Sequence, residues 1–489
     1  MSNSSVTAAS RIFKNFAALF VVGVFNKAMG LVIAVLVARF LGPESTGLFA
    51  LLFGIAILIE NTAVVGLQDT LVREVASHLD KAAALYRSAL IIVILLSVVP
   101  ALGFLVAASI VDQGEPTATS LLILAIGMPV ATTFIISQAV LQGAERMQLL
   151  TWTTVTTRLA SLIWLVHALY QGAGVEAAFL SRLFFQGSAI VVFIPVLLRG
   201  KMVPDVWTKP TKLAARSLPF ALNRAVFDLS IRAPVLILPM LLGLARTGIF
   251  DAADRIRQAA AITVAAATVG IMPAFARHFT DPVESSQNLL GFSAKYTCLL
   301  ISVVATAIAV TSGWIIDILY GDEFADAALP LQILVWAHVI IAVDIILKQA
   351  MLAGNFEYAV VPRAVVGLVV QILLIFVLGS IFDLVGVAFA ILISAALVLA
   401  IDLRFVIAKL AAIEVDRFIL KPLACPLLVG SVLLVIDDKD FAIRLLAATV
   451  IWLIVVVAFR LLPKKEIDFL FELSAFLKLR PRERPKAND

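Results

Sequence analysis

Charge is scarce in this sequence. Only 15% of its 489 residues are charged, 62% are hydrophobic, and the mean hydropathy is +1.06. A soluble domain carries roughly 25% charged and 45–50% apolar residues, so a water-soluble globular chain is excluded. Cysteine is nearly absent. Cys298 and Cys425 each sit in an apolar run with no neighbour that makes a metal or redox motif, and both read as small core hydrophobes. The four histidines are scattered and offer neither a catalytic triad nor metal-ligand spacing. No G-x-x-x-x-G-K-[ST] loop occurs, which excludes an ATP-driven pump acting on its own. Every loop read as outside is short, which argues against a membrane-embedded polymerase with catalytic groups in a large loop. No enzyme activity, no metal, no cofactor and no nucleic-acid partner are expected. The N-terminus, MSNSSVTAASRIFKNF, lacks a short apolar core followed by a small-residue cleavage site, and its first apolar run is long enough to span a bilayer.

Long apolar runs are what the chain does have. About 20 such residues cross a bilayer as a helix. Fourteen runs qualify, at roughly 14–40, 47–71, 88–111, 119–143, 151–170, 175–198, 217–242, 249–275, 293–316, 328–352, 361–381, 384–407, 419–436 and 441–462. They are continuous rather than alternating, so they are helices, not barrel strands. Cytoplasmic loops retain Lys and Arg. With the N-terminus inside, 27 of the 38 Lys and Arg residues fall on that side, Arg158 counted among them, while only Arg39, Arg246 and Lys439 fall outside. Both termini are therefore expected in the cytoplasm of a plasma-membrane protein. The tail 463–489 reads as an interfacial helix followed by a polar end.

One short phrase occurs twice. LGPESTGLF at 41–49 returns as LGLARTGIF at 242–250, and QAVLQG at 138–143 returns as QAMLAG at 349–354. Two echoes in the same order, an even number of helices apart, predict parallel repeats. The expected fold class is an all-α integral membrane protein of 14 transmembrane helices. Two six-helix lobes, 1–198 and 217–407, are related by a pseudo-twofold axis and joined by a cytoplasmic linker, 199–216. Two extra helices span 408–462. In such folds the substrate path lies between the repeats.

The stretches ARFLGPESTGLFAL (38–51), GLQDTLVREVA (66–76), VLQGAERM (140–147), LPFALNRAVFDLSIRAPVLILPMLLG (218–243) and WIIDILYGDEFADAALPLQIL (314–334) carry a resemblance to a known family. The chain resembles polysaccharide repeat-unit flippases of the O-antigen and teichoic-acid type. They belong to the superfamily that also holds multidrug antiporters and lipid II flippases. The likeness covers roughly residues 12–460 and rests on turns and helix ends, so it identifies the family better than the substrate. It implies a two-lobed bundle alternating between inward- and outward-open states. It also implies a polyprenyl-diphosphate-linked oligosaccharide as cargo, in the bacterial inner membrane. Glycosyltransferases and a polymerase of the same pathway are the implied partners. A lipid II-type flippase and a drug or cation antiporter are the alternatives.

Eight cations remain inside the runs: Lys27, Arg182, Arg224, Arg232, Arg255, Arg257, Lys348 and Arg444. Each costs about 2.5–3.5 kcal/mol at a helix centre, so most must face partners or water. Arg224, Asp228 and Arg232 recur at i, i+4, i+8 on one helix face, and Asp251, Asp254, Arg255 and Arg257 follow in the next helix. Two readings are open. Lys27, Arg224, Arg232, Arg255 and Arg257 line the inter-lobe cavity and attract the diphosphate, or the charges form closed ladders that pin helices together. Glu60 is placed midway along the second run at the depth of Lys27. It reads either as that lysine's buried partner or, with Asp228, as a site for H+ or Na+ coupling. Lys348 is expected to pair with Asp344, Arg444 to snorkel to the outer interface, and His167 and His338 to be satisfied within the core.

Overall fold

The computed structural model describes residues 3–64, 66–111, 116–198, 210–278, 283–354, 356–410, 414–433, 441–459 and 461. The tail 463–489 and linker residues 199–209 lie outside the described residues, as does Lys439. Among the described residues the chain is helical throughout, with no strand.

Helix α1 (Asn3–Val64) joins two of the expected runs, broken at Gly42 (φ 75°). It stops near Gly66, whose φ of 64° is cheap only for glycine. A short amphipathic helix α2 (Leu67–Ser77) follows, with Leu67, Leu71 and Val75 buried. Then come α3 (Ala82–Ile110), α4 (Pro116–Gly143), α5 (Met147–Tyr170) and α6 (Glu176–Leu198). The second half starts with α7 (Pro210–Leu241), so residues 210–216, read from sequence as linker, are its first two turns. Pro210 opens it, where the missing N–H has no partner to lose. Next are α8 (Leu244–His278), α9 (Val283–Val310), the short α10 (Ser312–Tyr320), α11 (Ala328–Ala353) and α12 (Glu357–Lys409). Helix α12 again joins two expected runs, broken at Asp383. Helices α13 (Lys421–Leu433) and α14 (Phe441–Ala458) close the chain. Eight described segments are long and apolar enough to cross a membrane, two of them of double length (Val22–Thr62 and Tyr358–Lys409).

The buried side chains fall into separate cores. One core, from α7 to α14, takes in Phe250, Leu331, Trp336, Val387 and, from the last two helices, Val429 and Ala448. The N-terminal half holds two smaller cores, around Tyr86, Phe134 and Phe193 and around Phe49, Phe104 and Phe179. Leu31, Val35 and Ala38 of α1 pack on the C-terminal core, so this helix forms the seam between the halves.

The repeated phrase sits on that seam. Gly42 and Gly243 both take positive φ, 75° and 87°. Thr46 donates to the Gly42 carbonyl (2.7 Å), and Thr247 to the Gly243 carbonyl (2.8 Å). The copies then cross. A Cβ on Gly47 would strike the Leu244 carbonyl, and one on Gly248 would strike the Pro43 carbonyl. These two contacts are each other's images under the 201-residue offset. Small residues let membrane helices approach this closely.

A cation ties the same rim. Arg39, in the last turn of the first α1 segment, donates through Nε to the Leu319 carbonyl (2.8 Å) and through Nη2 to the carbonyls of Asp317 (3.2 Å) and Ile318. Those carbonyls lie at the negative end of α10, and that of Asp317 also accepts from the Gly321 N–H (2.9 Å). Arg246, which stands where the first copy has Ser45, binds Asp326 (2.5 Å) and the kink residue Asp383 (2.6 Å). This end of the seam is thus held by a glycine crossing and an arginine strap. Arg39→Ala should raise the labelling of a Thr46→Cys reporter by a membrane-impermeant maleimide several-fold. Thr46 is 1% exposed in the closed arrangement, and unchanged labelling would show that the strap does not hold the rim.

Candidate functional site

Helix α7 runs antiparallel to the second segment of α1, and the stripe foreseen on it faces that segment. Asn61 Nδ2 donates to Asp228 Oδ2 across the seam at 2.7 Å. One turn further out, the Arg232 stem lies over Gly54, and its guanidinium is 6.0 Å from the Phe53 ring. Arg224 belongs to the same face of α7, but its side chain lies outside the described residues. Lys27 is exposed and falls one turn below Leu31 and two below Val35, on the α1 face turned to the C-terminal half. Neither Lys27 nor Arg232 has a carboxylate partner among the described residues.

The expected Lys27–Glu60 pair does not form. Glu60 is bound instead by Arg182 of α6 at 2.5 Å and is 3% exposed. Nor is Glu60 midway along its helix: the second segment of α1 ends at Val64, so Glu60 lies one turn from its C-terminal end. The facing differs from the expectation, because the α1 face bearing Glu60 turns toward α6.

Helix α8 divides its charges between the halves. Arg255 pairs with Asp251 (2.6 Å) and Arg257 with Asp254 (2.6 Å), so both have partners on their own helix. Two residues are about 200° apart around a helix. Arg255 accordingly joins Arg158, Arg182, Phe49, Phe53 and Phe185 around a small pocket in the N-terminal half, of about 50 Å³. Arg257 and Asp254 line a larger cavity in the C-terminal half, of about 180 Å³, with Asp344, Lys348 and Gln371. There Lys348 binds Asp344 (2.5 Å), as expected, and also approaches Asp402 (3.7 Å), which Arg363 binds from the same helix. A third hollow, of about 410 Å³, is walled almost wholly by apolar groups of α11, α12 and α13, including Trp336, Phe389, Leu399 and Leu423.

Three further expectations change. Arg444 does not snorkel: it is fully buried, and its Nη2 donates to the Ala309 carbonyl at 3.0 Å. His338 is not a satisfied core histidine, since neither ring nitrogen has a hydrogen-bond partner among the described residues, and Lys27 and Arg257 are its cationic neighbours. His167, by contrast, meets Gln171 at 2.9 Å. Arg158, counted from sequence with the inside loops, stands inside α5 with its guanidinium 4.6 Å from the Phe185 ring. Its place in the apolar run 151–170 was the available signal. No group of three or more potential metal ligands occurs among the described residues.

This arrangement of a bundle split along α1, with charges gathered at the split, can be set beside known proteins. A model of polysaccharide biosynthesis proteins matches residues 12–279, more than half of the chain. The chain belongs to the polysaccharide biosynthesis protein family. No curated protein matches it in sequence. Its fold is that of the multidrug, oligosaccharidyl-lipid and polysaccharide exporter superfamily. The lipid II flippase MurJ in an inward closed conformation superposes with a TM-score of 0.66 at 14% identity, over 90% of this chain and 99% of that one. A multidrug resistance MATE transporter in its outward-facing conformation gives 0.61 at 15% identity, over 82% and 96%. A superfamily transporter from Pyrococcus furiosus, described as having a binding pocket of reversed polarity, gives 0.61 at 13%, over 82% and 95%. In this family member, then, the seam between the halves lies where the repeat predicts a path.

Proposed function

We propose that this protein is a flippase. It carries a polyprenyl-diphosphate-linked oligosaccharide from the cytoplasmic to the periplasmic leaflet of the bacterial inner membrane, with both termini cytoplasmic, for cell-surface polysaccharide assembly. One observation carries the reading. At the seam every described carboxylate is already engaged, Glu60 by Arg182, Asp251 by Arg255, Asp254 by Arg257 and Asp228 by Asn61, whereas Lys27 and Arg232 are left over. A path for cationic drugs would need the opposite excess. The two free cations suit a diphosphate, with Arg giving a two-pronged contact and Lys a point charge. Arg224 adds a third charge to the same face, and Arg255 and Arg257 flank it with half-neutralised guanidinium groups. The apolar hollow beside α13 suits a polyprenyl chain, at about 0.8 kcal/mol for each CH₂ it covers.

We read the motion as alternating access. The outer side is shut by contacts between small residues and one strap, which a rocking of the halves about α1 breaks together. We assign the coupling of this motion to H+ or Na+ at Glu60 or Asp228, and the pathway's glycosyltransferases and polymerase are the neighbouring partners. A lipid II-type cargo shares the diphosphate and differs in the headgroup. The test is complementation. In a strain without its repeat-unit flippase, the chain should restore surface polysaccharide and clear lipid-linked units from the cytoplasmic leaflet. Rescue of a lipid II flippase-null strain instead would assign the other headgroup. Neither rescue, with efflux of cationic dyes gained, would overturn the reading.

A further inference from the structure

The pocket in the N-terminal half is built unlike the rest of the seam. It is walled by Gly30, Ile33, Phe49 and Phe53 of α1, by Arg158 and Ser161 of α5, by Arg182 of α6, and it is closed by Arg255 of α8 from the other half. Three guanidinium groups meet there against two carboxylates, Glu60 on Arg182 and Asp251 on Arg255. Arg158 has no carboxylate partner among the described residues. Its Nε is buried with no acceptor, and so is Nη2 of Arg255. Buried guanidinium N–H groups without acceptors are rare and strongly unfavourable unless something fills the gap. Two of them bordering one hollow call for an acceptor, and an oxyanion is the acceptor that also offsets the third guanidinium charge.

The walls narrow its kind. Phe185 lies 4.6 Å beneath the Arg158 guanidinium, and Phe49 and Phe53 lie 5.4 and 5.5 Å from that of Arg255. The guanidinium groups thus lie over aromatic rings at the border of a space of about 50 Å³. That volume accepts one small planar group, and the phenyl rings around it offer an apolar bed to the carbon skeleton that bears the group. Lys27 and Arg232 lie outside this lining, so a diphosphate held by them leaves the pocket to another part of the cargo.

We propose that this pocket is a subsite for the carboxylate of an acidic sugar in the carried oligosaccharide, held by Arg158 and Arg255, so that the preferred cargo contains a uronic acid. The proposal rests on the flippase reading and adds the charge of the glycan to it. Because Arg255 comes from the other half, filling the pocket also helps to hold the halves together: a cargo with the right sugar closes the seam that one without it leaves underfilled.

The test uses the full-length chain in lipid nanodiscs and three probes: glucuronate, glucose and undecaprenyl diphosphate without sugar. Glucuronate should raise the thermal midpoint of the wild-type protein by about 2 °C at a tenfold excess over its Kd, and glucose should not. Arg158→Gln should weaken glucuronate by about tenfold or more, and Arg158→Lys, which keeps the charge but not the fork, by less. Both variants should bind undecaprenyl diphosphate as the wild type does, which also shows that they are folded. Equal responses to glucuronate and glucose would overturn the proposal. So would an Arg158→Gln variant that loses undecaprenyl diphosphate in step with glucuronate, since the pocket then serves the diphosphate. Failure of undecaprenyl diphosphate to bind the wild type, with glucuronate still bound through Arg158, would instead defeat the flippase reading and leave the sugar site standing.

Discussion

On the proposed flippase reading, Arg232→Ala should reduce export of the lipid-linked oligosaccharide by about 10- to 100-fold with the protein still at wild-type level in the membrane. The size follows from what is lost. A two-pronged, charge-assisted contact to a phosphate contributes roughly 1.5–3 kcal/mol, and 1.4 kcal/mol is a factor of ten. The direction follows from the surroundings. Arg232 forms no ion pair among the described residues, and its longer-range neighbours Asp251, Asp254 and Asp228 keep Arg255, Arg257 and Asn61, so stability should change little. Arg232→Lys should fall between wild type and Ala, because the charge remains and the fork does not. Lys27→Ala should lower export in the same assay, and the double variant should be worse than either. Export at half the wild-type rate or better in Arg232→Ala, with surface polysaccharide restored, would remove the free cations of the seam from the mechanism. A large fall in thermal stability would do so too, since it would make Arg232 a strut.

Glu60→Ala should do the reverse, lowering stability first. The carboxylate is 3% exposed, and its removal leaves the Arg182 guanidinium uncompensated beside Arg158. Breaking one side of a buried pair costs about 3–5 kcal/mol, whereas removing both sides is often nearly neutral. Arg182→Ala should therefore rescue part of the loss when combined with Glu60→Ala, measured by thermal unfolding of the four proteins of the cycle. Strict additivity would show that the pair is not coupled. Glu60→Gln separates the second role. If Glu60 binds the coupling ion, this variant loses the dependence of export on the H+ or Na+ gradient; if the dependence is unaltered, Asp228 is left as the candidate.

How much of this was legible beforehand differs from residue to residue. The i, i+4, i+8 spacing of positions 224, 228 and 232 placed them on one face, and the described members of that set, Asp228 and Arg232, do face α1. Helical period is a local property, so a single sequence shows it. The partner of Glu60 was not legible. Lys27 and Arg182 are equally cationic, and only the rotation of α1 about its own axis decides between them. The grouping of Arg158 with Arg182 and Arg255 was hidden for the same reason: the three residues come from three helices, two of them in one half and one in the other. Arg444 shows the limit of a depth argument. A position near a helix end reads as a snorkelling cation, yet a neighbouring backbone carbonyl, that of Ala309, was near enough to hold it inside.

By itself the sequence determined that this chain lives in a bilayer as helices, that it was built by repetition, and which helix faces carry charge. Apolar run length, phrase spacing and helical period are all written along the chain, and none needs a partner to be read. Only the tertiary structure decided that the two copies of LG-x-x-x-TG-[LI]-F lie against each other. Gly47 meets Leu244 and Gly248 meets Pro43, so the duplicated turn is the crossing point of the two halves. It also decided which charges are spent on one another and which are left over. The reason is physical: a charge in a low-dielectric interior is set by its nearest counter-charge within a few ångströms, and that distance is fixed by how helices rotate and pack, not by their order in the chain.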